Sequence, residues 1–96
     1  MSDLDVIAVI EAKPGSEDAV KAALLDLVTA TRAEEGCISY DLKVAADKPT
    51  TFITVEKWRS QADLEEHMKS AHIAKAFEVA GEQMAGAPAI YPLADA

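Results

Sequence analysis

Between residues 4 and 60 the hydrophobic period of the chain changes three times, and each change falls at residues able to punctuate it. Val6-Ile7-Ala8-Val9-Ile10 is a nearly continuous apolar run, the pattern of a strand covered on both faces. Lys13-Pro14-Gly15-Ser16 stops that run. Ser16 stands where a helix N-cap belongs, and Glu17 and Asp18 follow it near the positive end of the helix dipole. Val20, Leu24, Leu27, Val28 and Thr31 then repeat at helical spacing, leaving Lys21, Asp26 and Arg32 to solvent. Gly36 reads as the C′ residue that ends the helix.

After Gly36 the period shortens to two. Ile38, Tyr40, Leu42 and Val44 alternate with Ser39, Asp41 and Lys43, a strand with one wet or polar-lined face. Ala45 to Pro49 makes a turn into a third strand, Thr51 to Arg59. In this strand Ile53 and Val55 point one way and read as helix-facing core. Phe52, Thr54, Glu56 and Trp58 point the other way, the aromatic and polar mixture of a ligand pocket or subunit contact.

Ser60 with Asp63 forms a capping box for a helix whose stripe is Leu64, His67, Met68 and Ala71. Ser70 can cap a further segment with Ile73, Phe77, Ala80 and Met84 inward, so a kink is expected near residue 70. Pro88-Ala89-Ile90-Tyr91-Pro92-Leu93 is bounded by prolines, which confine it to an edge strand or an arm over a partner, at about 86–96. The order strand, helix, strand, strand, helix, strand is that of the ferredoxin-like α+β fold, an antiparallel sheet with helices on one face. One domain, residues 1–96, is expected. The other face of its sheet would lie bare in a single chain, and two sheets packed face to face would cover it and enclose a cavity in each subunit.

Composition favours that pairing. A chain of 96 residues buries only about 60–65% of its unfolded surface. Much of the apolar half is alanine, and the aromatics are Tyr40, Phe52, Trp58, Phe77 and Tyr91 alone. Such a core is thin against ~1–2 kcal/mol of backbone entropy per residue. A formal charge of −8 opposes binding to nucleic acid or anionic membranes. No apolar run approaches the ~20 residues of a membrane span, and Met1-Ser2-Asp3-Leu4-Asp5 lacks the basic start of a secretory signal, so a cytoplasmic protein is expected. Cys37, the single cysteine, can form neither an internal disulfide nor a thiolate cage, and reads as a small buried hydrophobe.

Glu56, Trp58 and His67 carry most of the chemistry, because polar titratable groups on inward positions of a small domain need a partner or a task. A lone histidine on an apolar stripe serves structure or proton exchange, and the neighbouring mixed face of Glu56 and Trp58 gives the two equal weight. Glu56 must be hydrogen bonded or paired, with His67 or an arginine as the partner. Trp58 suits a pocket wall or an interface anchor, and Tyr40 a hydrogen-bond donor or strand filler. His72 lies about 140° round an unbroken helix from His67, so no metal site is expected there. The chain contains no GxGxxG, no GxxxxGK[ST] and no GxSxG.

Taken in order, Lys13-Pro14-Gly15 with Glu17-Asp18, Thr31-Arg32-Ala33-Glu34-Glu35-Gly36-Cys37 with Tyr40, Pro49 and Phe52, and Glu56-Lys57-Trp58 with Leu64, His67 and His72 resemble the antibiotic biosynthesis monooxygenase family, in particular its small quinol monooxygenase-like members. The resemblance runs from Val6 to about Phe77. It implies a ferredoxin-like fold that dimerises into a shared α/β barrel, and oxygenation of a small phenolic, quinol or anthrone-like substrate by molecular oxygen without metal, flavin or haem. It carries over Glu34, Tyr40, Glu56, Trp58 and His67. Glu35 stands where relatives usually have proline, and no asparagine occurs to match the pocket asparagine of some relatives, haem-degrading ones among them.

The site expected from these readings has His67 as base or proton shuttle, Glu56 orienting it or balancing its charge, and Tyr40 as donor. Trp58, Phe52 and Met68 would contact the substrate. The competing readings are an isomerase moving a proton on a small carbonyl compound, and a non-catalytic dimer that binds an aromatic metabolite or haem.

Overall fold

Each change of period in the sequence becomes a boundary between elements in the computed structural model, which describes residues 3–96. Met1 and Ser2, part of the leader reading, lie outside the described residues. The elements are β1 (Leu4–Glu11), α1 (Glu17–Arg32), β2 (Cys37–Ala45), β3 (Lys48–Trp58), α2 (Gln61–Met68), α3 (Ala71–Ala80) and β4 (Ala89–Leu93), with a 3₁₀ turn at Gly81–Gln83. The strands form one antiparallel sheet in the order β2-β3-β1-β4, with all three helices on one face. This is the ferredoxin-like α+β fold.

Helix α1 buries Val20, Leu24, Leu27, Val28 and Thr31 as its period requires, with Ala23 between them. Its two ends differ from expectation. Ser16 occupies the N-cap position but its side chain caps nothing; the first-turn bond runs from the Val20 N–H to the Ser16 carbonyl, while Gly15 supplies the positive φ of the preceding turn. Gly36 is not a left-handed C′ residue. The chain leaves α1 through bonds from Ala33 N–H to the Ala30 carbonyl and from Glu34 N–H to the Thr31 carbonyl, and Gly36 keeps a negative φ. What Gly36 provides is space, because the Asp63 side chain lies where its Cβ would be.

The strand faces are reversed relative to the sequence reading. Glu56 pairs with Val6 on one side and Tyr40 on the other, and Thr54 with Ala8 and Leu42. Residues directly opposite share a face. Phe52, Thr54, Glu56 and Trp58 therefore lie beneath the helices with Val6, Ala8 and Ile10. Ile53 and Val55 lie on the uncovered face with Ile7, Val9, Tyr91 and Leu93. A period of two fixes which residues go together but not which set the helices cover. The polar set can be covered because it satisfies itself, as its hydrogen bonds show below.

The second helical region breaks at Lys69-Ser70, as the Ser70 signal predicts. The Ser60 hydroxyl accepts from the Asp63 N–H at 3.2 Å to start α2, and the Ser70 hydroxyl accepts from the Ile73 N–H at 3.3 Å to start α3. The Ser70 hydroxyl also donates to the His67 carbonyl at 2.6 Å, closing the end of α2. Leu64 and His67 are buried on α2, whereas Met68 is turned partly outward. On α3 the inward positions are Ala76 and Ala80 rather than Phe77, because two alanines let α3 pack closely on α1. β4 pairs with β1 at the sheet edge. Among the described residues, no helix is long and apolar enough to cross a membrane.

Candidate active site

Two strands and a helix bring three rings together at one end of the sheet. Trp58 closes β3 and is completely buried, Tyr40 meets it edge-on from β2, and His67 descends from the last turn of α2 against both. The imidazole is 2% exposed. Its ring centroid lies 4.6 Å from that of Trp58 in a tilted arrangement and 5.5 Å from that of Tyr40, edge to face. Packing of this kind fixes the ring plane before any hydrogen bond is made.

Glu34 then fixes the tautomer. It sits in the short connection from α1 to β2, and its Oε2 meets His67 Nδ1 at 2.6 Å and His72 Nε2 at 2.7 Å. A carboxylate acceptor holds the His67 proton on Nδ1 and leaves Nε2 as the basic nitrogen, without a hydrogen-bond partner among the described residues. The expected pairing of Glu56 with His67 or an arginine does not occur. Glu56 accepts instead from the Thr54 hydroxyl at 2.6 Å and from the Trp58 indole N–H at 2.9 Å. Glu56 thus holds Trp58, and Trp58 in turn backs His67.

The helical-wheel separation of His67 and His72 does not survive either. It assumes an unbroken helix, and the Ser70 break redirects the chain so that both ring nitrogens reach one carboxylate oxygen. The kink signal was present in the sequence and already implied that the wheel should not be carried across it. Glu34 was carried by resemblance without a partner, since a residue in a loop has no periodicity from which to read its direction.

Beside His67 a narrow cavity runs between sheet and helices. It holds about 40 Å³ and is lined by Tyr40, Thr54, Glu56 and His67 on its polar side and mostly by apolar side chains elsewhere. Met68, Phe77, Pro88 and Ile90 also line it. Of the expected substrate contacts Met68 is therefore on the cavity, whereas Trp58 lies behind His67 and Phe52 belongs to the main core and to a separate outer groove. Burial, and next the charge of Glu56, push the Tyr40 hydroxyl well above its ordinary range, so it stays protonated as a donor. The Cys37 thiol is only partly covered, and burial with the neighbouring Glu34 raises its pKa, which keeps it in the unreactive form.

Comparison with known proteins identifies the family. The profile described as "Antibiotic biosynthesis monooxygenase" matches residues 4–79. The chain belongs to the antibiotic biosynthesis monooxygenase family. Among curated relatives of the family, a Mycobacterium tuberculosis protein named "Putative monooxygenase Rv0793" is 41% identical over 71 residues, 74% of this chain and 69% of that protein. "Putative monooxygenase YcnE" of Bacillus subtilis is 33% identical over 81 residues, 84% of each. The solved structure of Rv0793 superposes with a TM-score of 0.88 at 36% identity, covering 99% of this chain and 96% of that one. That of PA3566 from Pseudomonas aeruginosa gives 0.89 at 33%, covering 100% and 96%. Family and relatives together support a monooxygenase-type function.

Proposed function

We propose that this protein is a monooxygenase that deprotonates a small phenolic, quinol or anthrone-like substrate at His67 and leaves the resulting anion to react with molecular oxygen, with no resident cofactor. The observation that carries the reading is the Glu34-His67 pair, 2.6 Å apart, which turns the basic Nε2 of a buried imidazole away from its carboxylate partner in a ring that borders a largely apolar cavity. A hydroquinone or anthrone becomes a strong electron donor once it loses a proton, so the protein need supply only a base, a donor for the anion and exclusion of water. His67 is the base. Glu34 orients it and offsets the imidazolium charge, and Tyr40 donates to the substrate oxygen. The substrate supplies the electrons: one oxygen atom enters the ring, and the other leaves as water with the two hydrogens the substrate loses.

A cavity of about 40 Å³ is far below the roughly 300 Å³ of an ordinary ligand pocket, so binding must widen it. The partly exposed Met68 and Phe77, with Pro88 and Ile90 opposite, are the side chains that would have to part. The reading also includes a homodimer in which the uncovered sheet faces pack together.

The test is oxygen uptake with a panel of hydroquinones and anthrones. His67→Ala should lower turnover by about 10²–10⁴-fold, the range for loss of a positioned general base. Equal turnover in that variant removes His67 from the mechanism. Product formed without oxygen consumption would instead favour proton transfer on a carbonyl compound.

A further inference from the structure

We propose that Glu34, His67 and His72 form a binding site for a divalent transition cation of the zinc class, whose occupation is mutually exclusive with the use of His67 as a base. Glu34 Oε2, His67 Nδ1 and His72 Nε2 come from the α1–β2 connection, the end of α2 and the start of α3, and all lie within 4.8 Å of one another. Two imidazoles and one carboxylate form a donor set that suits zinc, with a fourth position left for water. Calcium and magnesium prefer oxygen donors and fit it poorly.

The donors are gathered at one point, and side-chain shifts would fit them to an ion. Bonds of about 2.0–2.1 Å at tetrahedral angles put donor atoms roughly 3.3 Å apart. The two nitrogens now stand 2.6 and 2.7 Å from Oε2 and within 4.8 Å of each other, so to admit the ion the carboxylate has to withdraw by about half an ångström and the imidazoles have to adjust their separation to the same spacing. Glu34 is in a short connection and its side chain has that freedom. His67 is fully buried and held by Trp58 and Tyr40, whereas Glu34 and His72 keep 18% and 25% side-chain exposure and leave a route in from solvent. The formal charge of −8 favours a cation throughout.

The consequence for His67 follows from its two nitrogens, and rests on the monooxygenase reading above. A neutral imidazole has one proton. With a metal on Nδ1 that proton must sit on Nε2, where it occupies the lone pair that would accept the substrate proton. Metal binding thus converts the proposed base into a donor.

Zinc should be titrated by calorimetry into chelator-treated protein, with cobalt absorption as a second readout of tetrahedral coordination. One equivalent per chain is expected, weakened at least tenfold in His72→Ala and in Glu34→Gln, with folding of each variant checked by the fluorescence of Trp58. Absence of stoichiometric binding, or binding indifferent to both substitutions, overturns the site. Zinc should also suppress oxygen uptake by the parent protein, and this suppression should vanish in His72→Ala relative to that variant's own zinc-free rate. Full or increased turnover with the site loaded overturns the exclusivity. A metal-free protein that binds zinc as expected but turns over no quinol sinks the monooxygenase reading and leaves the metal site standing.

Discussion

The two faces of β3 are built by opposite rules. Beneath the helices the strand carries Thr54, Glu56 and Trp58, buried and hydrogen bonded to one another; on the uncovered face it carries Ile53 and Val55, apolar and partly exposed. Ordinary amphipathic patterning would place them the other way round. A polar set is tolerated inside only because every donor is matched, and an apolar set outside is costly unless something covers it. The inner face thereby points to a site and the outer face to a partner, and both inferences come from one strand.

The inner face breaks most readily at Trp58. Trp58→Ala should cost about 3–5 kcal/mol, because it opens a cavity behind His67 and leaves Glu56 without its indole partner. That is a large part of the stability of a domain this small, and urea unfolding followed by circular dichroism would measure it. A loss under 1 kcal/mol would mean that the inner face is loosely packed. Glu56→Ala is the sharper test. It strands the Thr54 hydroxyl and the Trp58 N–H and should cost about 1–3 kcal/mol. A variant as stable as the parent, or more so, would show that burying this carboxylate is itself unfavourable, and that Glu56 is kept for the site rather than for the fold.

Legibility in the sequence follows the same division. The elements, their order and the break at Ser70 were readable because caps and periods are local. The composition of each strand face was readable too, since alternation groups Phe52 with Thr54, Glu56 and Trp58. Which group the helices cover was not, because that depends on how β3 registers against β1 and β2 and on the closing of the Thr54-Glu56-Trp58 bonds. In the site, His67 was marked by a polar group on an apolar stripe. Its true partner was not, because Glu34 is 33 residues away in a connection with no period, and His72 was set aside by a helical wheel that the chain does not follow.

The outer face gives the smallest effect on the single chain and the most direct test of its partner. Val55 is 41% exposed on a face that includes Ile7, Ile53 and Tyr91; on its other side it faces Asp41 of β2, which is paired with Arg32. Val55→Lys should change the stability of an isolated chain by no more than about 0.5 kcal/mol, since the new ammonium group remains in water. In a dimer joined through this face the same ammonium would be buried beside only Asp41, a carboxylate already paired with Arg32, a cost larger than a surface substitution carries. Sedimentation should therefore find the parent protein at twice the chain mass and Val55→Lys at the chain mass. Val44→Lys, at a more exposed position on the edge strand beside the outer groove, should leave the mass unchanged. If the parent sediments as a single chain, or if both variants behave alike, the apolar outer face of β3 is not what joins two copies, and the contrast between its faces holds for the site alone.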